Sequence, residues 1–449
     1  MRKWLAISCM AVVLAQHVYA QDKARELDSV VTHWTALAKY SGTVLVAQKG
    51  KILVHKGYGL KSHHQEKPPD ENTLYITGGM TEMFTSTLIF RLQEEGKLSI
   101  TDTLSKHLPD FSFSNKVTIG QLLSHTSGIH DYMSDDGLYS GGITSSRERK
   151  DIIALFNDKP LAFEPGKGFQ VSASDYYLLG MVAEKVTGTT YYDALRKYVI
   201  NPLGMEQTGF DYGRFPSWDK SQGYSILNNQ RLLPAFTIDS TVSYASGGLF
   251  TDSKGMYKLA QAMLGNKLLK KSSWQTMTTA QTDSFAYGFD VRTMAGKKAI
   301  GHTGETFGYV HCMYVLPEDS TVIIIMSNDF ESEVYYILDN IVSALHNQPY
   351  TLPKPRTSVF LEEARLKHYE GRYEFDEGMD LNVYSRDRLL WGKISGGEEF
   401  TLLADVIPDE FFMNSVDVEF RFIRDRKTNL ITGVIIRQNR KEITGKKWQ

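Results

Sequence analysis

Cysteine is scarce in this sequence of 449 residues, which contains two, Cys9 and Cys312. Cys9 falls in an N-terminal segment that we expect to be removed, so one thiol is left and no intrachain disulfide can form. Stability must therefore come from a hydrophobic core rather than from covalent links. The chain is long enough for a full-sized core and a second folded unit, because single cores seldom grow past roughly 300 residues.

The sequence also lacks a strong charge of either sign. Its formal net charge is −2, and no run of lysine and arginine stands out. A protein that binds nucleic-acid phosphates or an anionic membrane surface needs such a basic patch, so we expect no nucleic-acid partner. Beyond the N-terminus no stretch is long and apolar enough to cross a bilayer, which predicts no membrane span in the mature chain.

Residues 1–20 have the features of a secretory signal peptide. The segment MRKWLAISCMAVVLAQHVYAQ starts with basic residues, continues with a short apolar run and has a small residue, Ala20, at its exit. The apolar run is too short to span a bilayer comfortably. We therefore predict export to the periplasm or the extracellular space, and an uncleaved membrane anchor is the alternative.

The chain divides at a proline-containing stretch. In HNQPYTLPKPRTSV, three prolines and several polar residues interrupt the periodic pattern, as in a semi-rigid linker. We predict a large domain over residues 21–347, a linker over 348–360 and a C-terminal domain over 361–449. Strand patterns dominate the last of these, for example VDVEFRF (Val416–Phe422), in which apolar side chains alternate with charged ones. This part is predicted to be a small antiparallel β domain.

The large domain shows signals for both helices and strands. Phe84, Leu88 and Leu92 recur every four residues and Gly96 follows as a stop, which predicts a helix buried along one face. The run SASDYYLLGMVAEKVTG predicts a second helix, capped at its start by Ser174. Farther on, VHCMYVLP and TVIIIMSN predict two neighbouring strands joined by a PEDS turn, directly after GHTGETFG. The architecture is therefore mixed α/β with an antiparallel sheet.

Several motifs of this domain resemble those of a known family. In chain order they are EEGKLSITDTLSKHLPDF, TIGQLLSHTSGIHDY, FEPGKGF, YYLLGMVAEKVTG, NPLGMEQTGF, ASGGLFTDSKGM and GHTG. Their order and spacing are similar to those of the serine β-lactamase-related family, which groups class C β-lactamases, D-alanyl-D-alanine carboxypeptidases and esterases. The match covers about Leu27 to Asn347. It implies a β-lactamase/transpeptidase-like fold, an antiparallel sheet flanked by helices, and the tail resembles the β domain often appended to such hydrolases.

The chemistry of that family needs a serine and a lysine that this chain lacks. In the family, a serine at a helix N-terminus attacks a carbonyl, and a lysine three residues later on the same helix face helps to remove its proton. Here the Ser-x-x-Lys motif falls on Gly79-Met80-Thr81-Glu82. Gly79 has no side chain, and Glu82 is an anion where the mechanism needs a cation or a neutral base.

The second family element, Tyr-x-Asn, is also replaced. It supplies a phenol for proton transfer and an amide that binds substrate, and it falls here on Val171-Ser172-Ala173. The third element is retained as His302-Thr303-Gly304, and the following residue, Glu305, is expected to provide an oxyanion-hole N–H. The resemblance thus implies that only the third element, which acts mainly through its backbone, is intact.

Other groups near the expected site offer substitute chemistry. Four hydroxyl side chains are candidate nucleophiles: Thr77, Thr81, Ser172 and Ser174. Glu82 and His302 have the chemistry of a base with its orienting carboxylate. The competing interpretation is structural, because serine and threonine usually cap helices or end strands.

The joint loss of four functional positions predicts a pseudoenzyme that binds a small molecule, a peptide or a protein partner in or near the old pocket. Deleting a nucleophile alone lowers the rate on the order of a millionfold in triad enzymes. Two alternatives stay open, a rewired hydrolase of the esterase or peptidase type and an inert scaffold or protein-binding module. We expect no cofactor and no metal, because no recognised set of metal ligands occurs. The oligomeric state is left open.

Overall fold

The structure, a computed structural model, describes residues 21–448 apart from 141, 214–217, 228–230, 354–355, 376–377, 398, 414–417 and 439–440. The predicted signal peptide, residues 1–20, lies outside the described residues. The described residues form two compact units, the first within 21–225 and 232–351 and the second within 226–231 and 352–448. Among the described residues no helix combines the length and the apolar character needed to cross a membrane.

The larger unit is built on a six-stranded antiparallel sheet. The strands up to residue 351 are β1 (Gly42–Gln48), β2 (Lys51–Tyr58), β3 (Tyr75–Ile76), β4 (Tyr224–Leu227), β5 (Arg231–Pro234), β6 (Phe250–Thr251), β7 (Asp290–Met294), β8 (Lys297–Thr306), β9 (Tyr309–Leu316) and β10 (Thr321–Ser327). The sheet has the order β2-β1-β10-β9-β8-β7, and β3 pairs with β6 and β4 with β5. The predicted antiparallel neighbours, β9 and β10, are buried throughout and lie near its centre.

Eleven helices are described in the same part of the chain. They are α1 (residues 21–36), α2 (Thr81–Glu94), α3 (Ile119–Leu123), α4 (Asp136–Ser140), α5 (Arg149–Ala154), α6 (Ala173–Thr187), α7 (Tyr191–Leu195), α8 (Ser240–Gly247), α9 (Ser253–Leu264), α10 (Lys271–Met277) and α11 (Val334–Leu345). A 3-10 turn at Gly78–Met80 leads directly into α2. The helix α2 is buried on almost every side from Thr81 to Leu92, as expected for a central core helix rather than one with a single buried face.

The helix α6 begins differently from the sequence prediction. The sequence indicates Ser174 as its cap, but the helix starts at Ala173 and Ser174 lies inside its first turn. The Ser174 hydroxyl donates to the His130 carbonyl at 2.6 Å. At the start of the helix, the backbone N–H of Ala173 instead donates to the Asp131 carboxylate at 3.0 Å. A side chain from a distant segment therefore does the capping, which local sequence patterns do not reveal. The predicted helix end is correct, because Gly188 terminates α6 in the left-handed conformation.

The strand β8 has one unpaired section. Its first half pairs with β7 from Met294↔Lys297 to Asp290↔Gly301. On the other side it pairs with β9 from Ile300 to Thr306. The stretch from His302 to Thr306 therefore has a strand neighbour on one side only, among the residues described. This is the retained motif of the sequence analysis.

The C-terminal unit contains a short helix, α12 (Glu363–Leu366), and a closed eight-stranded barrel. Its strands are β11 (Gly371–Glu374), β12 (Asp380–Arg386), β13 (Leu389–Ile394), β14 (Glu399–Ala404), β15 (Glu410–Phe412), β16 (Val418–Arg424), β17 (Ile431–Gln438) and β18 (Lys441–Lys447). The antiparallel ladder closes where β11 pairs with β18. Inward-facing apolar side chains fill the interior, among them Tyr369, Tyr373, Leu381, Leu390, Phe411, Phe420 and Phe422. The predicted antiparallel β domain is confirmed.

Candidate functional site

The turn before α2 and the unpaired section of β8 are in direct backbone contact. Gly78 has a positive φ of 52°, and a Cβ there would lie 2.5 Å from the Glu305 carbonyl oxygen. A Cβ on Gly304 would lie 2.1 Å from the Thr77 carbonyl oxygen. Only glycine fits at either position, because such separations are far below ordinary contact distances. Two motifs more than two hundred residues apart in the sequence are thus brought together.

Gly79, which the sequence analysis assigns to the nucleophile position, faces the His302 ring. A Cβ on Gly79 would lie 3.3 Å from the Thr303 carbonyl oxygen and 3.5 Å from His302 Cε1. The imidazole therefore borders the space into which a side chain at position 79 would extend. The ring is itself held by Phe285, which packs edge-on against it at a centroid distance of 5.7 Å.

The side chain of Glu82, three residues later, is buried in an ion pair. Its Oε2 atom lies 3.0 Å from His125 Nε2. The same oxygen lies 3.4 Å from His302 Nε2, which is an ion-pair distance without hydrogen-bond geometry. Glu82 is 4% exposed. At the position that the sequence analysis assigns to the lysine, the structure therefore has a carboxylate between two imidazoles.

His125 connects Glu82 to a second carboxylate. Its Nδ1 atom lies 3.1 Å from Asp175 Oδ2, and the Ser127 hydroxyl donates to the other Asp175 oxygen at 2.5 Å. His125 and Asp175 are completely buried. His125 also has a positive φ of 55°, which is uncommon for a residue with a side chain and marks a locally strained backbone. We refer to Glu82, His125, Asp175 and His302 together as the Glu82 cluster.

The charges of the Glu82 cluster determine what His125 can do. Burial opposes the imidazolium form, but Glu82 and Asp175 outweigh this and raise the pKa of His125 to about 10. Burial raises the pKa of Asp175 to about 6, and hydrogen bonds from His125 and Ser127 limit that rise. At neutral pH, His125 is therefore an imidazolium with a carboxylate on each side. A protonated imidazole cannot accept the proton of a nucleophile, so it cannot act as a general base.

The pKa values of Glu82 and His302 are also shifted in the directions that favour their charged forms. Burial favours neutral Glu82, but His125 and His302 prevail and lower the pKa of Glu82 below its usual value. Burial opposes charging of His302, but the contact with Glu82 raises its pKa above the usual value. His302 Nδ1 also contacts the Thr303 carbonyl oxygen. Its two ring nitrogens thus face acceptors, which favours the charged, proton-donating form.

Neither replacement in the Tyr-x-Asn element supplies catalytic chemistry. Val171 is 57% exposed and carries no polar group. Ala173 occupies the first position of α6, where its backbone is engaged by Asp131. The side chains at these two positions can neither transfer a proton nor bind a substrate amide.

Three of the four candidate hydroxyls serve structural roles. Thr77 Oγ1 lies 3.0 Å from Thr81 Oγ1 and donates to the Leu249 carbonyl at 2.9 Å. Thr81 Oγ1 also accepts from the Leu249 amide at 3.3 Å. Ser174 is bonded as described above, and all three side chains are fully buried. These hydroxyls hold segments of backbone together and are closed to a substrate.

Ser172 differs from the other three. Its hydroxyl oxygen is buried and has no hydrogen-bond partner among the described residues, and its backbone nitrogen lies 3.3 Å from His125 Nδ1. The residue is 1% exposed. A serine next to a histidine suggests a nucleophile, but the neighbouring His125 is protonated and already placed between two carboxylates. Ser172 therefore lacks a base.

Aromatic side chains form one wall of the site. Phe169 packs against Phe285 with ring centroids 5.6 Å apart, and Phe285 lies 5.1 Å from the His125 ring. Phe169 is 43% exposed, so part of this wall faces solvent. On β8, the Glu305 carboxylate accepts a hydrogen bond from the Tyr335 hydroxyl at 2.7 Å. The site thus combines an apolar wall with an acidic group.

The sequence analysis identified Glu82 and His302 but missed the main partners of Glu82. His125 lies within the motif TIGQLLSHTSGIHDY and Asp175 within SASDYY, and neither pattern indicates a buried ion pair. The segment from His302 to Glu305 lies beside Gly78 and Gly79, and its role as an oxyanion-hole element stays a prediction. In the part of the chain that the structure describes, no group of three or more His, Cys, Asp or Glu side chains is arranged to hold a metal ion.

The similarity to known proteins covers most of the chain. The sequence profile of the family described as Beta-lactamase matches residues 28–348. Penicillin-binding protein 4* of Bacillus subtilis (strain 168) is 25% identical over 433 residues, which are 90% of this chain and 94% of that protein. The putative penicillin-binding protein PbpX of the same strain is 26% identical over 278 residues, covering 60% of this chain and 67% of that protein.

Solved structures show the same fold. The octameric penicillin-binding protein homologue from Pyrococcus abyssi has a TM-score of 0.67 and 23% identity, and the match covers 93% of this chain and 99% of that one. The D-amino acid amidase from Ochrobactrum anthropi SV3, in complex with D-phenylalanine, has a TM-score of 0.66 and 19% identity over 73% of this chain and 99% of that one. The predicted β-lactamase/transpeptidase-like fold is confirmed.

Proposed function

The chain belongs to the β-lactamase family, and we propose that it is a member that binds a ligand or partner in or near the old active site without acylating. The observation that carries this proposal is the combination of Gly79 with the Glu82–His125 ion pair at 3.0 Å. Acyl transfer in this family needs a side-chain oxygen and a basic amine. Position 79 offers no such oxygen, and position 82 offers a carboxylate already bonded to an imidazolium.

The electrostatics of the Glu82 cluster support an inactive site. The imidazoles of His125 and His302 lower the pKa of Glu82, so its carboxylate is a weaker base than usual. The pKa of His125, raised to about 10, favours the imidazolium where a general base would have to be neutral, and the pKa of His302 is raised in the same direction. The Glu82 and Asp175 carboxylates compensate the charge of His125, so removing one member of the cluster would leave a buried charge without a partner.

A peptide with a D-amino acid at its end is the ligand class that we favour. Two relatives are named penicillin-binding proteins, and a structural neighbour is a D-amino acid amidase. The section of β8 from His302 to Thr306, unpaired on one side, is suited to receive an extended peptide by main-chain pairing. The exposed part of Phe169 offers an apolar contact beside it. Residues 1–20 lead us to propose that binding occurs outside the cytoplasm.

Calorimetry with a D-alanyl-D-alanine-terminated peptide tests this function. We expect saturable binding, weaker binding of the matched L-alanyl-L-alanine peptide, and recovery of the peptide uncleaved. Phe169→Ala should weaken binding, whereas Trp218→Ala, which removes an exposed aromatic from a separate segment, should not. Cleavage of the peptide, or equal binding of both stereoisomers, would overturn the proposal.

A rewired hydrolase is the second candidate, because two serines lie next to histidines. Ser172 adjoins His125, as described above. Ser253 Oγ lies 2.8 Å from His55 Nε2, and Glu71 lies 3.7 Å from the other ring nitrogen of His55. Ser253 is fully buried, which argues against attack on a substrate. A fluorophosphonate adduct mapped to either serine would favour this function over ligand binding alone.

A further inference from the structure

The C-terminal barrel contains a cavity of about 230 Å³. It lies between the segment that precedes α12 and the strands β13 and β14. Side chains of the barrel core, among them Leu390, Leu402 and Phe411, back the cavity and are each no more than 1% exposed. The half-buried Leu361, Leu389 and Leu403 form its accessible apolar surface. A core that were fully packed would leave no such space.

The size and lining of this cavity suit an apolar group. A protein cavity of about 150 Å³ with an apolar lining stays dry and binds benzene. The cavity in the barrel is larger, and leucine, valine and phenylalanine make up most of its lining. A water molecule needs several polar partners to be stable in such a place. A hydrocarbon chain is therefore a better occupant than water.

The outer wall of the cavity is a short extended segment. The Val359 amide donates to the Ala404 carbonyl at 2.9 Å, and Ser358 forms a bridge with Asp405. Phe360, which follows, lines the cavity although it is 91% exposed. Exposing a large aromatic ring to water costs free energy, and a hydrocarbon chain of a ligand that lies along the ring would remove this apolar surface from solvent. The wall thus offers an apolar contact at the cavity mouth.

A single charged residue, Arg388, lines the cavity among the residues described. It lies in the two-residue turn between β12 and β13, where Asp387 and Arg388 both have positive φ values, 54° and 61°. The neighbouring Arg386 pairs with Glu399 at 3.2 Å. Arg388 has no ion pair with any residue that the structure describes. Its guanidinium is available to an anion at the mouth of an apolar cavity.

We propose that this cavity binds a single-chain anionic amphiphile. The hydrocarbon chain lies against Leu361, Leu389 and Leu403, and the carboxylate or similar anionic group lies at Arg388. The apolar lining of the cavity suits the hydrocarbon end of such a molecule, and the cation at its edge suits the anionic end. This assignment is independent of the proposed function, because every residue involved belongs to the C-terminal unit.

Calorimetric titration of the full chain with three probes of equal chain length tests the proposal. Decanoate should bind saturably below its micelle-forming concentration, decanol more weakly, and decylammonium most weakly. Arg388→Gln should weaken decanoate binding roughly threefold to fivefold, as expected for an exposed ion pair, and leave decanol unchanged. Arg426→Gln, which removes an exposed arginine from another turn of the same unit, should have no effect.

A second variant separates the cavity from general surface charge. Val359→Glu places a carboxylate at the mouth and should reduce decanoate binding further, while the circular dichroism spectrum and the melting temperature stay close to those of the native chain. Equal affinity for decanoate and decylammonium would overturn the proposal. So would equal losses in the Arg388 and Arg426 variants, or binding that begins only where decanoate forms micelles.

Discussion

Glu82 Oε2 and His125 Nε2 lie 3.0 Å apart in the core of the larger unit, one helical turn after Gly79. The sequence analysis assigns position 82 to the lysine of the family motif. Removing one member of a buried pair is strongly destabilising because the other charge is left without compensation. Glu82, the residue that the sequence analysis assigns to the lysine position, is thus part of the buried core.

Replacing Glu82 by lysine should destabilise the protein. The new ammonium group would lie beside the His125 imidazolium and the His302 ring, and the carboxylate that is lost favours the charged form of both histidines. We expect a loss of about 3 kcal/mol or more in the free energy of unfolding, measured by denaturant titration. Glu95→Lys, at the exposed C-terminal end of the same helix, carries the same change of charge and should alter stability little. An unchanged melting temperature for Glu82→Lys would contradict the described role of the ion pair.

Stability should fall as the pH rises above neutrality. The pKa of His125 is raised from an ordinary value of 6.5 to about 10. A raised pKa in the folded state contributes stability that is complete below pH 6.5 and is lost as the pH rises toward 10. The free energy of unfolding of the native chain should therefore decline between about pH 6.5 and pH 9, and the decline should be shallower in His125→Gln. Parallel pH profiles for the two proteins would rule out a protonated His125.

The two glycines of the turn should respond differently to alanine. Gly78 has a positive φ and its Cβ would meet the Glu305 backbone at 2.5 Å, whereas the Cβ of residue 79 would meet its nearest neighbour at 3.3 Å. We expect Gly78→Ala to cost about 3 kcal/mol or more and Gly79→Ala to cost at most about 1 kcal/mol. Thermal unfolding of the two variants under one set of conditions measures the difference. Equal effects would show that β8 does not pack on this turn as described.

Restoring two family residues should not restore an enzyme. Gly79→Ser with Glu82→Lys supplies a nucleophile and an amine, but Val171 and Ala173 still provide neither proton transfer nor an amide contact. Because catalytic groups act as a unit, we expect acylation by penicillin to remain close to background. Mass spectrometry of the intact protein measures this, with Gly79→Ala plus Glu82→Lys as the matched control. Rapid adduct formation in the serine variant alone would refute this expectation.

Much of the fold is predictable from the sequence because its signals are local, and the assignment of Gly79 and Glu82 to the family motif is a prediction from signals of the same kind. The spacing of Phe84, Leu88 and Leu92 indicates the central helix, and the flanking motifs place Gly79 and Glu82 on the family pattern. The apolar runs of β9 and β10 likewise indicate a buried antiparallel pair. Each of these signals spans only a few residues.

The features that the sequence did not predict all depend on contacts between distant segments. His125 and Asp175 approach each other and Glu82 only when α2, α6 and the loop after α3 pack together. The capping of α6 by Asp131 has the same origin. Closure of the barrel depends on pairing between its first and last strands, which alternation within a strand cannot encode.

Intact-mass spectrometry of the native chain after incubation with a penicillin and a fluorophosphonate tests the central claim most directly. The absence of a side chain at Gly79 and the protonated state of His125 predict an unchanged mass with both reagents and no hydrolysis of nitrocefin above a heat-killed control. A stoichiometric covalent adduct that is lost in Ser172→Ala or Ser253→Ala would contradict the claim, because the chain would then have kept acyl-transfer chemistry on another residue.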